Sequence, residues 1–292
     1  PPNKTKPPTA EGAIPRDEVL TVEIADNVNE VPVTVALSDP PRLLIEFCCG
    51  EDSRIGQTNR FGSIAKNCEV VRLTQKEDLT TEAGLKFAIA KVKKFRRENP
   101  KYKNNVLLWS SIPCTGGSSW QHMNKHFPGG AARIRKHIRT YKLIWRSFDI
   151  LSDVVAQCDS FIAIEWPRHC AYWNDSPVQC FSSKHNLSKV DFDGCAFGIK
   201  TVQGPPSYIR KPWTVLTNCQ SLIQGFFGHT CPGHAMHGNC RGPNAKVSES
   251  YSDRMVCVIH RAFMTACART HSSAACCIRQ DVLHDSLFGS AS

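Results

Sequence analysis

The chain has 292 residues, of which 41% are apolar and 21% charged, with a net charge of +10 and a pI near 9.0. This is a globular composition, enough for one large domain or two small ones with a sizeable core. No run of about 18 apolar residues is present to span a membrane, and the basic excess fits a polyanionic partner, nucleic acid first.

Residues 1–17 are rich in Pro and Lys and are expected to be disordered. Their start, PPNKTKPPTAEGAIPRDE, carries no apolar h-region and does not read as a signal peptide. The fifteen cysteines therefore read as reduced intracellular thiols, a few of them in chemistry or metal binding. Residues 18–37 read as two strands around Asp26-Asn27 and Asn29.

Leu43 to Phe47 is an apolar strand entering the turn Cys48-Cys49-Gly50-Glu51-Asp52-Ser53. Gly50 would let backbone pass close to a ligand, and Ser53 or Asp52 would cap a following helix. Strand, Gly turn and helix together open a nucleotide-type unit. A plain core strand with a turn is the alternative. Cys68 to Leu73 is a second strand, and Glu77 and Asp78 lie in the polar loop at its end. Thr80-Thr81-Glu82 would cap a helix from Ala83 to Glu98, with Leu85, Ala88, Ile89, Val92 and Phe95 on its apolar face.

Val106 to Trp109 is a short buried strand that stops at Pro113-Cys114-Thr115-Gly116-Gly117. Pro113 fixes its own φ, and the two glycines allow a tight turn with room for a flat ligand. Cys114 is thereby presented at the carboxyl end of a central strand, where open α/β sheets place ligands. A small buried thiol is the alternative. A long basic helix spans about 131 to 157, and Phe161 to Ile164 is the strand that delivers Glu165. A carboxylate there is costly unless paired or used. Asp191 to Gly198 and Trp213 to Asn218 are further strand-and-turn units. Cys219, His229, Cys231, His234, His237 and Cys240 are the candidate zinc ligands, because imidazole and thiolate are the usual zinc donors. The segment 219–240 that holds them matches no common finger spacing, and a loop without metal is the alternative. Beyond 268 the tail to 292 is expected to be poorly ordered.

The order of these units resembles the catalytic domain of cytosine-5 DNA methyltransferases. Glu46-Phe47-Cys48-Cys49-Gly50 is similar to the cofactor motif Asp-Leu-Phe-(Cys/Ala)-Gly. Pro113-Cys114 is similar to the Pro-Cys nucleophile, and Glu165-Trp166-Pro167 stands where Glu-Asn-Val stands in that family. The resemblance is closer to methyltransferase-like domains in polyproteins of eukaryotic mobile elements, through Ile164 to Trp173, Asp193 to Gly198, Lys211-Pro212-Trp213 and His229 to Cys240. It covers roughly residues 42–264, within a domain expected to span 18–267. Glu51 and Asp52 stand where the family has glycine, and little chain after Gly198 is left for a target-recognition domain.

The resemblance implies an α/β fold: a Rossmann-like class I methyltransferase sheet, mostly parallel, with helices on both faces. It implies S-adenosylmethionine as cofactor, bound by Glu46, Phe47, Cys48, Cys49, Gly50, Ser53, Glu77, Asp78 and Pro113. Cys114 would attack C6 of a flipped cytosine. Glu165 would hold N3 and the exocyclic amine, and Arg168 would assist the anion. The implied partner is nucleic acid, DNA in the first place, and the implied location is the nucleus. Two other readings stand beside it. One is a degenerate methyltransferase fold serving as a zinc-stabilised nucleic-acid-binding module. The other is a cysteine hydrolase pairing Cys114 with His122, His126 or His137.

Overall fold

A computed structural model describes residues 39–269. The segment 1–17, the two strands expected within 18–37 and the tail beyond 269 lie outside the described residues.

Six strands form one sheet: β1 Arg42–Phe47, β2 Cys68–Leu73, β3 Val106–Ser110, β4 Phe161–Pro167, β5 Ser188–Asp193 and β6 Pro212–Thr217. Their order is β2-β1-β3-β4-β6-β5. β1 runs parallel to β2 and β3, and β3 runs parallel to β4. β6 is antiparallel to both β4 and β5. The reversal has a local cause. Parallel neighbours need a long crossover, usually a helix, whereas the link from β5 to β6 contains only a 3-10 turn at Gly194–Phe197 and irregular chain. The expected α/β sheet, mostly parallel and flanked by helices, is therefore present with a mixed edge.

The helices are α1 Glu82–Glu98, α2 Gln121–Asn124, α3 Gly130–Ala156, α4 Ser176–Lys184, α5 Gln220–Phe226 and α6 Pro243–Val247. A further helix, α7, covers 253–269. β1 and β3 are buried at every position, as a central strand covered on both faces must be. Alternate residues feed two cores. Leu43, Ile45 and Phe47 face Val92 of α1, Phe148 of α3 and Phe181 of α4. Leu44, Leu107, Trp109 and Ala163 face Leu222 of α5 and Met255, Ile259 and Phe263 of α7. α1 begins where the sequence places it, with the Thr81 hydroxyl accepting from the Gly84 N–H at 3.2 Å.

One expected element is absent. The turn after β1 leads into 3-10 turns at Arg54–Gly56 and Thr58–Ala65 rather than an α-helix. Ser53 does not cap: its hydroxyl donates to the Glu46 carboxylate instead, at 2.5 Å.

The topology selects one edge. From β1 the chain steps outward to β2, then returns to the other side of β1 for β3. The carboxyl ends of β1 and β3 therefore flank the point where the winding reverses, which is where ligands bind in open α/β sheets.

Candidate functional site

Three sequence motifs meet at that carboxyl edge. Phe47 at the end of β1 is in register with Ser110 at the end of β3, and Ser110 with Ile164 of β4. Cys114 follows β3 by one turn, and Glu165 lies on β4 beside Ile164. The Trp166 indole N–H donates to the Ile112 carbonyl at 2.6 Å. This bond ties the residue next to Glu165 to the turn that carries Cys114.

Glu165 is buried. Its Oε2 accepts from the Tyr251 hydroxyl at 2.9 Å, while Oε1 is buried with no hydrogen-bond partner among the described residues. Burial pushes its carboxyl above the usual carboxylate range, and the nearby Lys211 ammonium works against that rise. Tyr251 is itself held from two sides. The Trp109 indole N–H donates to its hydroxyl at 3.1 Å, and the Ser111 hydroxyl lies 2.5 Å from it.

Cys114 is half-buried. Burial, and then the Glu165 carboxylate, push its thiol up to about 11, and Lys211 pulls it back. Lys211 stands in the φ > 0 region at the entry to β6. Its Nζ donates to the Ser248 carbonyl at 2.5 Å and sits 4.7 Å from the Trp213 ring centre. Lys211 is thus the cation of this site. Arg168, expected in that role, is engaged elsewhere. Its guanidinium lies 3.2 Å from Asp191 and 3.5 Å from Asp193, and donates to the Phe192 carbonyl. The reason is geometric: β5 ends beside the Arg168 turn and offers two carboxylates there.

Gly116 and Gly117 do not leave open room for a ligand. A Cβ on Gly116 would lie 2.2 Å from the Tyr172 hydroxyl, and one on Gly117 would lie 2.9 Å from the Tyr172 ring. The glycines let the turn close onto Tyr172, which stacks on Tyr141 at 3.6 Å. His122, His126 and His137 are exposed. Among the described residues, none of them has a hydrogen bond to Cys114. The charged groups acting on the thiol are Glu165, Lys211 and Glu249.

At the end of β1, Glu46 is buried with Oε1 bonded to Ser53 and Oε2 without a hydrogen-bond partner among the described residues. Burial raises its carboxyl to about 7, with the Ser53 hydrogen bond opposing. Phe47 belongs to the core. Cys48 carries the left-handed φ of this turn, 64°. Burial pushes the thiols of Cys48 and Cys49 up, the former to about 12. Gly50 and Pro113 are exposed at the same edge. Glu77 and Asp78 reach this edge too, but with local duties. Glu77 Oε2 accepts from the Thr74 N–H at 2.6 Å in a capping box, and Asp78 Oδ1 accepts from Thr80.

The Cys/His segment forms a second cluster. Sγ of Cys195 and Cys231 and ring nitrogens of His234 and His237 all lie within 4.8 Å of one another. Three of the six expected ligands are therefore together, joined by one from a different motif. Cys219 is in the core at the start of α5, His229 packs its ring on Phe197, and the Cys240 sulfur lies 3.2 Å from the Ser248 hydroxyl. Every cysteine among the described residues is a free thiol. No helix among them is long and apolar enough to cross a membrane.

Tyr251, Lys211 and Cys195 are the site residues that sequence reasoning missed. Lys211 and Cys195 lie inside quoted motifs, but no spacing marks either as a partner of Glu165 or Cys231. Compared with known proteins, the chain matches no family model, no curated protein and no solved structure.

Proposed function

We propose that this chain is a methyltransferase-like domain that uses S-adenosylmethionine to act on a cytosine of nucleic acid, DNA in the first place. One observation carries the reading: a thiol, Cys114, and a buried carboxyl, Glu165, whose Oε1 is unpartnered among the described residues, share the carboxyl edge beside the winding reversal.

The donor set at the end of β1 fits the cofactor. Glu46 Oε2 is a buried acceptor that a hydroxyl or ammonium group would satisfy, with Ser53 and Cys49 against the same carboxyl. The 3-10 turn after it is a departure, since an α-helix N-terminus is the usual anion cradle. When bound, the cofactor supplies an electrophilic methyl group.

The chain's own residues prepare the base. Burial raises the Glu165 carboxyl above the usual carboxylate range, which favours its acid form. Oε2 is occupied by the Tyr251 donor, so the acid proton belongs on Oε1. From there it reaches a ring nitrogen. Once the Cys114 thiol has released its proton to solvent, the thiolate bonds to C6, the C5–C6 double-bond electrons shift into the ring, and N3 takes the Glu165 proton. C5 is left as a nucleophilic enamine carbon. Lys211 favours both anions, the thiolate and the carboxylate that remains. The exposed Arg133, Arg135, Lys136, Arg139 and Lys142 of α3 supply a phosphate-facing surface.

The test is transfer of labelled methyl to DNA and RNA, with covalent trapping on DNA containing 5-fluorocytosine. The wild-type chain should do both, and Cys114→Ser should do neither while still binding cofactor. A wild-type chain that binds nucleic acid but neither transfers nor traps would be a binding module instead.

A further inference from the structure

Outside the Cys114 edge, a cluster of two cysteines and two histidines has the donor chemistry of a zinc centre. We propose that Cys195, Cys231, His234 and His237 form a closed, four-coordinate zinc site that clamps the segment 228–240 onto the end of β5. The inference is independent of the methyl-transfer reading.

The first argument is geometric. Bonds of about 2.3 Å to sulfur and about 2.0 Å to nitrogen at tetrahedral angles place S···N edges near 3.5 Å. The Cys231 sulfur lies 3.4 Å from His237 Nε2 and 3.7 Å from His234 Nδ1. Those are the edges of such a tetrahedron, and the Cys195 sulfur supplies the fourth corner.

The second argument is convergence. Two ring nitrogens and a second sulfur close on the Cys231 sulfur, and one divalent cation serves all four donors at once as thiolates and neutral imidazoles.

The third is the support around it. The His234 ring stacks on Tyr208 at 4.1 Å, which fixes its orientation. The Cys231 backbone N–H donates to Asp193 Oδ2 at 3.0 Å, and the Asp193 N–H donates to the His229 carbonyl at 2.9 Å. Asp193, two residues before Cys195, thus holds both sulfur-bearing stretches together. Outer-shell partners of this kind orient metal ligands. With four protein ligands and no open position, the site is structural rather than catalytic.

The clamp has a reach. The Gly194 N–H donates to the Arg210 and Lys211 carbonyls, so the Cys195 turn is bound to the chain that carries Lys211. Just past the segment, the Arg241 guanidinium lies 4.9 Å from the Trp120 ring centre, on the loop after Cys114.

The experiment uses the full chain purified without chelators. Elemental analysis should find about one zinc per chain. Cys195→Ser and His237→Gln should each lose affinity by more than the roughly 10- to 100-fold that loss of an outer-shell partner brings. Cys240→Ser and Cys180→Ser should keep the full complement. Cobalt titrated into the zinc-depleted wild-type chain should give a tetrahedral spectrum with charge transfer from two thiolates, which decides the matter even if a variant fails to fold. No bound metal in the wild-type chain, retention by Cys195→Ser, loss in Cys240→Ser, or a cobalt spectrum without thiolate bands would each overturn the proposal.

Discussion

The Tyr251 hydroxyl lies 2.9 Å from Glu165 Oε2 and is its hydrogen-bond donor. Because Trp109 donates to the same hydroxyl, Tyr251 is orientated to spend its own proton elsewhere. The bond therefore does two things. It satisfies one oxygen of a buried carboxyl, and it fixes that carboxyl against Tyr251.

Tyr251→Phe removes that donor and leaves Glu165 Oε2 and the Trp109 N–H without their partner. Each unsatisfied buried group costs about 1–3 kcal/mol, so urea unfolding should show a loss of that order or more. A double-mutant cycle with Glu165→Leu, which removes the acceptor, should show coupling, because the two side chains share one bond. Additive effects would mean the contact carries no energy.

The thiol of Cys114 is poised between two opposite charges, which predicts opposite mutant phenotypes. In the alkaline range where the thiol titrates, the Glu165 carboxylate holds its proton on and Lys211 draws it off. Glu165→Gln should lower the thiol pKa below about 11, and Lys211→Met should raise it. The pH profile of iodoacetamide labelling at Cys114 reads both shifts, and the same direction in both variants would refute the assignment.

Glu46 makes stability depend on pH in an identifiable window. Its folded pKa is raised from 4.5 to about 7, so the folded chain holds a proton that the unfolded chain has released. The associated stability is fully present below pH 4.5 and is lost as pH rises to about 7. At about 1.4 kcal/mol per pKa unit, the loss is on the order of 3 kcal/mol. Unfolding free energies measured across that window should fall for the wild-type chain by that much more than for Glu46→Gln. Parallel profiles would show that Glu46 titrates normally.

Periodicity and turn chemistry made much of the fold legible. The apolar runs at 43–47, 68–73, 106–109 and 161–164 are strands, and the helical spacing at 83–98 is α1, because burial on one or two faces leaves a mark on the adjacent chain. The turn after β1 departs from the expected capped helix. A Gly beside Ser and Asp suits a capped helix, but the Ser53 hydroxyl finds a better acceptor in the buried Glu46 carboxyl, and the chain continues as 3-10 turns. Arg168 turns to Asp191 and Asp193 because β5 ends beside it, a proximity that no local pattern records.

By itself, the sequence determined the residue types that carry chemistry and the strand ends that present them: Glu46 after β1, Cys114 after β3, Glu165 on β4, and a dense Cys/His segment. Each is a local property, written in neighbouring residues. Only the tertiary structure decided who meets whom. It brought Tyr251 to Glu165, Lys211 to the Cys114 edge, and Cys195 rather than Cys219 or Cys240 to Cys231. The physical reason is that these contacts cross from one strand end to another. They depend on strand order, on the reversal at β6 and on where α7 lies across the sheet, none of which leaves a periodic signal in the chain.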